Sequence, residues 1–275
     1  MKLSVITINY NNSEGLRKTI ESVVNQTWHD FEYIIIDGGS TDGSVKVIEG
    51  VADRIDYWVS EPDKGIYNAM NKGIDVANGE YCIFMNSGDC FYSEHTLQNI
   101  CVYMDGVDVI YGNTLESSGN IVRYKKNITF KTLLYGGLCH QSVVIKTGLM
   151  KKYHYDESLR IVSDWKFFLQ ALILDNCTYK GIDVFIAIYD VSGLTYSNWD
   201  VFLKERSLVR ESMFPNRILE DMVELCEGKT WEDRLYIGIK KSKYNKWLYS
   251  LNVLLMKLMT FFKKNWISEF PNILK

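Results

Sequence analysis

Four short apolar runs, at residues 3–6, 33–36, 55–59 and 81–85, punctuate the first third of the chain, and each ends in a polar cluster. The runs are rich in β-branched and aromatic residues and too short for helices, which predicts buried parallel strands. Between the first two, Leu16, Ile20, Val23 and Val24 share one helical face, with Ser13 placed to cap it. A short helix is expected near residues 44–49. A longer one is expected across 65–77, with Ile66, Met70, Ile74 and Ala77 on one side. This alternation predicts right-handed crossovers and a mainly parallel sheet over residues 1–90.

An open parallel sheet binds ligands in the crevice beyond the carboxyl ends of its strands. The clusters at those ends are Thr7-Ile8-Asn9-Tyr10-Asn11, Asp37-Gly38-Gly39-Ser40-Thr41-Asp42-Gly43, Glu61-Pro62-Asp63-Lys64-Gly65 and Asn86-Ser87-Gly88-Asp89. Together they describe one polar site for a nucleotide-like ligand. A carboxylate such as Asp37 suits the ring N–H donors of a uracil or guanine base, and Thr7 and Asn9 can line the same pocket. Gly38, Gly39 and Gly43 permit tight turns close to a ligand. The alternative for Asp37 and Asp42 is to cap the following helix. Asp63-Lys64-Gly65 opens a helix, where a lysine and the helix N-terminus can meet phosphate; the alternative is an exposed lysine in a capped turn. Tyr67 and Asn68 can reach the ligand, and Asn71 is placed to tether neighbouring loops.

The middle is less regular. Strands are expected at 107–111, 121–124 and 141–146. A helix opens at Ser163-Asp164 with Phe167, Phe168, Ala171, Leu172 and Leu174 as its apolar content, and a last strand is expected at 184–189. Beyond Trp199 the pattern is helical. We expect a domain of residues 1–197, with a nucleotide half (1–90) and a second half (91–197), followed by a helical extension over 198–275.

Of the 275 residues, 47% are hydrophobic and 24% charged, the balance of a soluble globular chain, and the net charge of −3 gives no general attraction to nucleic acid. Eight lysines and one acid fall within residues 240–275, a net +7 that leaves −10 for the rest and gives the tail its own candidate partner. The six cysteines show no metal-ligand spacing, and the chain opens directly into a strand, so a cytoplasmic location is expected.

The four clusters, in this order and spacing, resemble the family 2 glycosyltransferases of GT-A fold over residues 1–197. The stretch Ser60-Glu61-Pro62-Asp63-Lys64-Gly65-Ile66-Tyr67-Asn68-Ala69-Met70-Asn71-Lys72-Gly73 resembles a subgroup acting in bacterial surface polysaccharide assembly. The resemblance implies a GT-A-like, Rossmann-type α/β fold. It also implies an inverting, metal-dependent transfer from a nucleoside-diphosphate sugar to a saccharide or lipid-linked saccharide acceptor.

Asp37 corresponds to the family's base-contacting acid. Donor contacts are expected from Thr7, Asn9, Asp37, Gly39, Asp63, Lys64, Tyr67, Asn68, Asn86, Ser87, Gly88 and Asp89. Asn86-Ser87-Gly88-Asp89 occupies the place of the Asp-x-Asp motif that holds Mg2+ or Mn2+. Asp89 is its clear remaining carboxylate, with a plain turn residue as the alternative. Ser163-Asp164-Trp165 resembles the motif of the catalytic base, which assigns that role to Asp164; the alternative is an acid paired with a helix dipole. His140 and Gln141 resemble a pair bordering the acceptor cleft or the metal, alongside Ser163 and Trp165, with a structural histidine as the alternative. The segment after Tyr189 resembles a loop able to close over the donor. No Gln-x-x-Arg-Trp motif is present, which favours one sugar per encounter over processive synthesis.

In the tail, Leu248, Leu251, Leu254, Leu255, Leu258, Met259, Phe262 and Trp266 recur at helical spacing among lysines. This suits a helix lying in a membrane interface; packing on its own domain or in a dimer is the alternative. A sugar nucleotidyltransferase would need a Gly-rich basic loop after the first strand, which leads here to Asn-Tyr-Asn-Asn. A dehydrogenase would need GxGxxG there. A nucleotide-sugar-binding protein without activity stays open because the Asp-x-Asp motif is depleted.

Overall fold

The computed structural model describes residues 1–124, 126–190 and 198–226. Strands β1 (Leu3–Asn9), β2 (Phe31–Asp37), β3 (Tyr57–Ser60) and β4 (Tyr81–Phe84) pair in parallel in the order β3-β2-β1-β4. Helices α1 (Ser13–Val24), α2 (Ser44–Glu49) and α3 (Ile66–Val76) make the crossovers. The period-two alternation of side chains divides β1 and β2 between two layers. Leu3, Val5, Tyr33 and Ile35 pack with Leu16, Ile20 and Val23 of α1. Ile6 and Ile36 face Gly73 of α3. Burial on both faces is why these strands read as unbroken apolar runs.

Beyond β4 the sheet is mixed. β8 (Val143–Lys146) runs antiparallel between β4 and β6 (Val109–Glu116), and β6 pairs in parallel with β9 (Tyr179–Tyr189). The two-residue strand β5 (Cys90–Phe91) closes the far edge against β9, and β7 (Ile121–Val122) folds back on β6. Helices α4 (Thr96–Cys101), α5 (Phe130–Tyr135), α6 (Thr147–Tyr153) and α7 (Ser163–Phe168) connect these strands, α7 running on into a π-helical turn at Leu169–Leu174. Helices α8 (Trp199–Met213) and α9 (Asn216–Cys226) follow. The first compact unit extends from Met1 to Val209 and so includes the start of α8. No helix among the described residues is long and apolar enough to cross a membrane. The leucine- and lysine-rich tail at 247–266 lies outside the described residues.

Several local expectations shift; the strands expected at 107–111, 121–124 and 141–146 run over 109–116, 121–122 and 143–146, with His140–Ser142 forming a 3-10 turn. Asn12, not Ser13, caps α1: its side chain accepts from the Gly15 N–H, while the Ser13 N–H is taken by Asp42. β3 begins at Tyr57 rather than 55: the Ile55 N–H closes a 3-10 turn on the Ala52 carbonyl, and the Asp56 carboxylate takes the Tyr33 N–H. β9 begins at Tyr179, five residues ahead of the expected start, in a stretch where Lys180, Gly181 and Asp183 interrupt the apolar pattern.

Gly73 sets how closely α3 approaches the sheet, since a Cβ there would lie 2.5 Å from Ile6 Cγ2. Alanine gains about 1 kcal/mol of helix propensity but overpacks a buried contact at a cost of about 1–3 kcal/mol. Gly73→Ala is therefore expected to lower the urea midpoint; an unchanged or raised midpoint would show that the layers yield at this point.

Candidate active site

Parallel register places Asn9, Asp37 and Ser60 side by side at the carboxyl ends of β1, β2 and β3. Asp37 is fully buried. Its Oδ1 accepts from Asn9 Nδ2 (2.6 Å) and Ser40 Oγ (2.6 Å), and its Oδ2 from the Ser40 N–H (2.9 Å) and Ser60 Oγ (2.6 Å). Burial acts to raise the Asp37 carboxyl, but the donors from Ser40, Ser60 and Asn9 outweigh it and hold its pKa below the ordinary 3.8. Asp37 thus ties three strand ends and the following turn together.

Around this knot the loops close on one another. Gly39 has φ +79°, and a Cβ on it would lie 3.2 Å from the Pro62 nitrogen; one on Gly38 would lie 2.3 Å from Asp63 Oδ2. The paired glycines therefore let the second and third clusters touch. Asp63 Oδ1 accepts the Gly65 N–H and Asn68 Oδ1 the Lys64 N–H, which shapes the entry to α3, while the Lys64 side chain is exposed. The ring of Tyr10, 65% exposed, borders Gly38. Thr7 is placed differently: it is fully buried, and its hydroxyl donates to the Met85 carbonyl at 2.7 Å, beneath the crevice. Asp42 accepts from Ser13 and Ser44 at the starts of α1 and α2, the capping alternative.

The Asn86–Asp89 turn is pinned from below by Thr19 of α1. Its hydroxyl lies within 3.1 Å of the Asn86 and Asp89 carbonyls and the Gly88 N–H. From the side, Asn12 Nδ2 donates to the Ser87 carbonyl. Asp89 is 5% exposed; its Oδ1 accepts the Asp190 N–H and its Oδ2 accepts Gln141 Nε2, both at 3.0 Å. Burial dominates and pushes the Asp89 carboxyl up despite these bonds. The Asp190 carboxylate lies beside Gly88, 3.7 Å from where a Cβ would stand. Among the described residues no group of three His, Cys, Asp or Glu could cage a metal.

Asp164, at the start of α7, keeps partial exposure, 22% for its side chain. Its Oδ1 accepts from Tyr67 Oη (3.2 Å) and the Trp165 N–H (2.8 Å), and its Oδ2 lies 3.4 Å from His140 Nδ1. Burial, with the Asp164 charge adding to it, raises the Tyr67 phenol well above 10, so it stays a donor. The other ring nitrogen of His140 lies 2.9 Å from Asn86 Nδ2. Consecutive residues His140 and Gln141 therefore bridge Asp164 to the Asn86–Asp89 turn. Ser163 and Trp165 are buried and engaged internally, through the Asp156 N–H and the Leu133 carbonyl. They support Asp164 rather than face a cleft.

Asn68 and Asn71 both bind Glu157, and Asn71 also holds both backbone groups of Tyr155, so α3 tethers the loop that leads toward Asp164. The expected closing loop after Tyr189 falls on residues 191–197, outside the described residues. A groove of about 580 Å³ between α1 and α2, lined by Arg17, Glu21, Lys46 and Arg54, contains none of Asp37, Asp89 and Asp164.

Residues 4–171 match the family model for glycosyl transferase family 2, and the chain belongs to that family. It is 27% identical over 198 residues to a PGL/p-HBAD biosynthesis glycosyltransferase of Mycobacterium bovis, covering 69% of this chain and 77% of that one. It is 32% identical over 201 residues to an uncharacterized glycosyltransferase of Mycobacterium tuberculosis, covering 70% and 76%. Among solved structures, S. aureus TarS residues 1–349 in complex with UDP-GlcNAc superposes with a TM-score of 0.61 at 20% identity, covering 69% of this chain and 58% of that one. Against a longer TarS structure the match spans 38% of that chain. A mannosyltransferase from Pyrobaculum calidifontis, solved with GDP-Man and Mn2+, gives a TM-score of 0.54 at 17% identity, covering 72% and 59%. The fold is the GT-A-like α/β architecture that the clusters imply.

Because the folded Asp37 carboxyl is lowered, it contributes stability above the ordinary carboxylate range, and that contribution is lost as pH falls through its folded value. Asp37→Asn turns a donor toward the fixed Ser40 N–H or the Ser60 hydroxyl and is expected to cost about 3 kcal/mol at neutral pH. In urea unfolding the gap from the parent should narrow below about pH 4. A gap that is constant or widens in acid would contradict the assignment.

Proposed function

We propose that this chain is an inverting, non-processive glycosyltransferase that moves one sugar from a nucleoside-diphosphate donor to a hydroxyl acceptor in surface polysaccharide assembly. The observation that carries the reading is the His140-Gln141 bridge, which ties a buried carboxylate, Asp89, to a partly open one, Asp164. The two supply different chemistry on one crevice.

On this reading residues 1–90 hold the donor and 91–197 border the acceptor. The exposed Tyr10 ring stacks on the base beside Gly38, and backbone groups of the 37–40 turn and Asn9 shape the base pocket around the occupied Asp37. Lys64 meets the diphosphate as a point charge at the start of α3.

A divalent cation, Mg2+ or Mn2+, fits the Asn86–Asp89 turn. The hydrogen bonds given for the buried Asp89 carboxylate come from neutral donors, the Gln141 amide and the Asp190 N–H, and the Asn86 Oδ1 oxygen is buried without a partner. Such ions take one or two carboxylates and complete their shell from phosphate oxygens and water. Bound there, the ion would neutralise charge on the departing diphosphate.

Asp164 Oδ2 acts as the general base. The acceptor oxygen attacks the anomeric carbon as the bond to the diphosphate oxygen breaks on the opposite face, and the hydroxyl proton passes to Asp164. A carboxylate is far less basic than an alkoxide, so proton transfer comes late in the attack. Tyr67 and the Trp165 N–H hold Oδ1, while Oδ2 faces His140 Nδ1 at 3.4 Å and exchanges that contact for the acceptor hydroxyl.

Asp164→Asn is expected to lower transfer by about 10³-fold while nucleotide affinity stays within about twofold. Asp89→Ala should abolish the Mn2+-dependent part of donor binding in calorimetric titration. Normal turnover by the first variant, or unaltered metal dependence in the second, would remove the corresponding role. The tail would bring the enzyme to a lipid-linked acceptor at the cytoplasmic face of a membrane. Deleting residues 244–275 should abolish cosedimentation with anionic vesicles, and undiminished binding would contradict that part of the reading.

A further inference from the structure

We infer that helix α8 belongs to the catalytic apparatus, with Glu205 and Arg206 as positioning residues that fix Asp164 from both sides. The inference rests on the reading of Asp164 as the base. The helix lies beyond residue 171, where the family match ends.

Glu205 is 9% exposed, and its carboxylate is turned inward against the backbone just ahead of α7. Its Oε1 accepts the Arg160 N–H at 2.6 Å, and its Oε2 accepts the Ile161 and Val162 N–H groups at 2.9 and 3.3 Å. Three consecutive backbone donors thus converge on one carboxylate. These groups precede a helix start, where N–H groups lack intrahelical partners. Charge-assisted bonds to them hold the chain in one path up to Ser163.

Arg206 grips the other side. Its guanidinium lies over the Trp165 ring, 4.1 Å from the centroid. The same group donates to the carbonyls of Leu133 (3.2 Å), Leu134 (2.8 Å) and Gly136 (3.2 Å) at the end of α5. Trp165 itself donates from Nε1 to the Leu133 carbonyl at 2.8 Å. Asp164 therefore sits between a backbone segment clamped by Glu205 and an indole clamped by Arg206. Neighbouring residues on a helix point about 100° apart, which lets one turn of α8 reach both.

Packing alone would not need this arrangement. An apolar helix face could cover the same ground without the desolvation cost of a buried carboxylate. Directional bonds to three amides and a flat ring fix orientation as well as position. A base needs that, since a misplacement of about 1 Å can cost about 100-fold in rate.

The test uses the full chain and reads three quantities: kcat for transfer, donor affinity with Mn2+, and hydrogen–deuterium exchange of amides 160–162. Glu205→Ala should speed exchange of those amides and lower kcat about 10- to 100-fold, with donor affinity within about twofold. Glu205→Gln keeps one acceptor and should fall between the parent and the alanine variant. Arg206→Lys keeps the charge but not the flat fork, and should lose kcat nearly as Arg206→Ala does. The proposal is overturned by unchanged kcat in Glu205→Ala, by amides that stay protected, or by kcat and donor affinity falling together. If the alanine variants do not fold, Glu205→Gln decides: lower kcat with faster exchange supports the clamp, and full kcat overturns it. Asp164→Asn measured alongside separates the two readings. Full activity in that variant removes the base and this proposal with it, whereas an inactive Asp164→Asn beside a fully active Glu205→Ala removes the clamp alone.

Discussion

The buried carboxylate of Asp37 is the constraint on which the donor crevice depends. Taking a carboxylate out of water costs several kcal/mol unless donors replace its hydration. Here four donors do so, one from β1, two from the following turn and one from β3. The four bonds fix the ends of three segments. The glycines at 38 and 39 then let the third cluster approach, and Ser40 Oγ accepts the Asn11 N–H, which carries the same order into the loop before α1. The crevice is preorganised because its floor is a satisfied charge.

A second constraint joins the two halves of the sheet. β8 runs antiparallel beside β4, so the turn ahead of it delivers His140 and Gln141 next to the Asn86–Asp89 turn. One dipeptide then touches the acid read as the metal ligand and the acid read as the base. Tyr67 reaches Asp164 from α3, and Glu205 and Arg206 hold the neighbours of Asp164 from α8. Donor side and acceptor side are coupled through short polar contacts, and none of these links is local in sequence.

That non-locality explains what could be read in advance. The parallel core was legible because strands buried on both faces leave unbroken apolar runs, and because turns at strand ends need Gly, Asn, Asp and Ser for stated reasons. The convergence of the clusters followed from topology alone. The exchange of roles within the clusters did not. Asp37 reads from the sequence as a base-contacting acid or a helix cap, and its bonds to Asn9, Ser40 and Ser60 could not be read there, because those side chains carry no signal of their partner. Thr7 sits in the core because it lies two residues short of the end of β1, beneath the crevice, where its hydroxyl is taken by the Met85 carbonyl. Thr19, Glu205 and Arg206 lie on helices whose sequence reads as ordinary polar surface; only tertiary packing reveals what they hold. Short elements such as β5 and α4 to α6 lie in the middle third, where the period is too brief to declare a helix or a strand.

On the proposed mechanism Asp89 and Asp164 serve opposite faces of one anomeric carbon, and a crystal structure with a nucleoside-diphosphate sugar and Mn2+ decides this. Diphosphate and metal density is expected at Asp89, with the anomeric carbon facing Asp164 across a gap that one acceptor hydroxyl fills within hydrogen-bond reach of its Oδ2. Nucleotide density in the groove between α1 and α2, or an anomeric carbon turned away from Asp164, would contradict it.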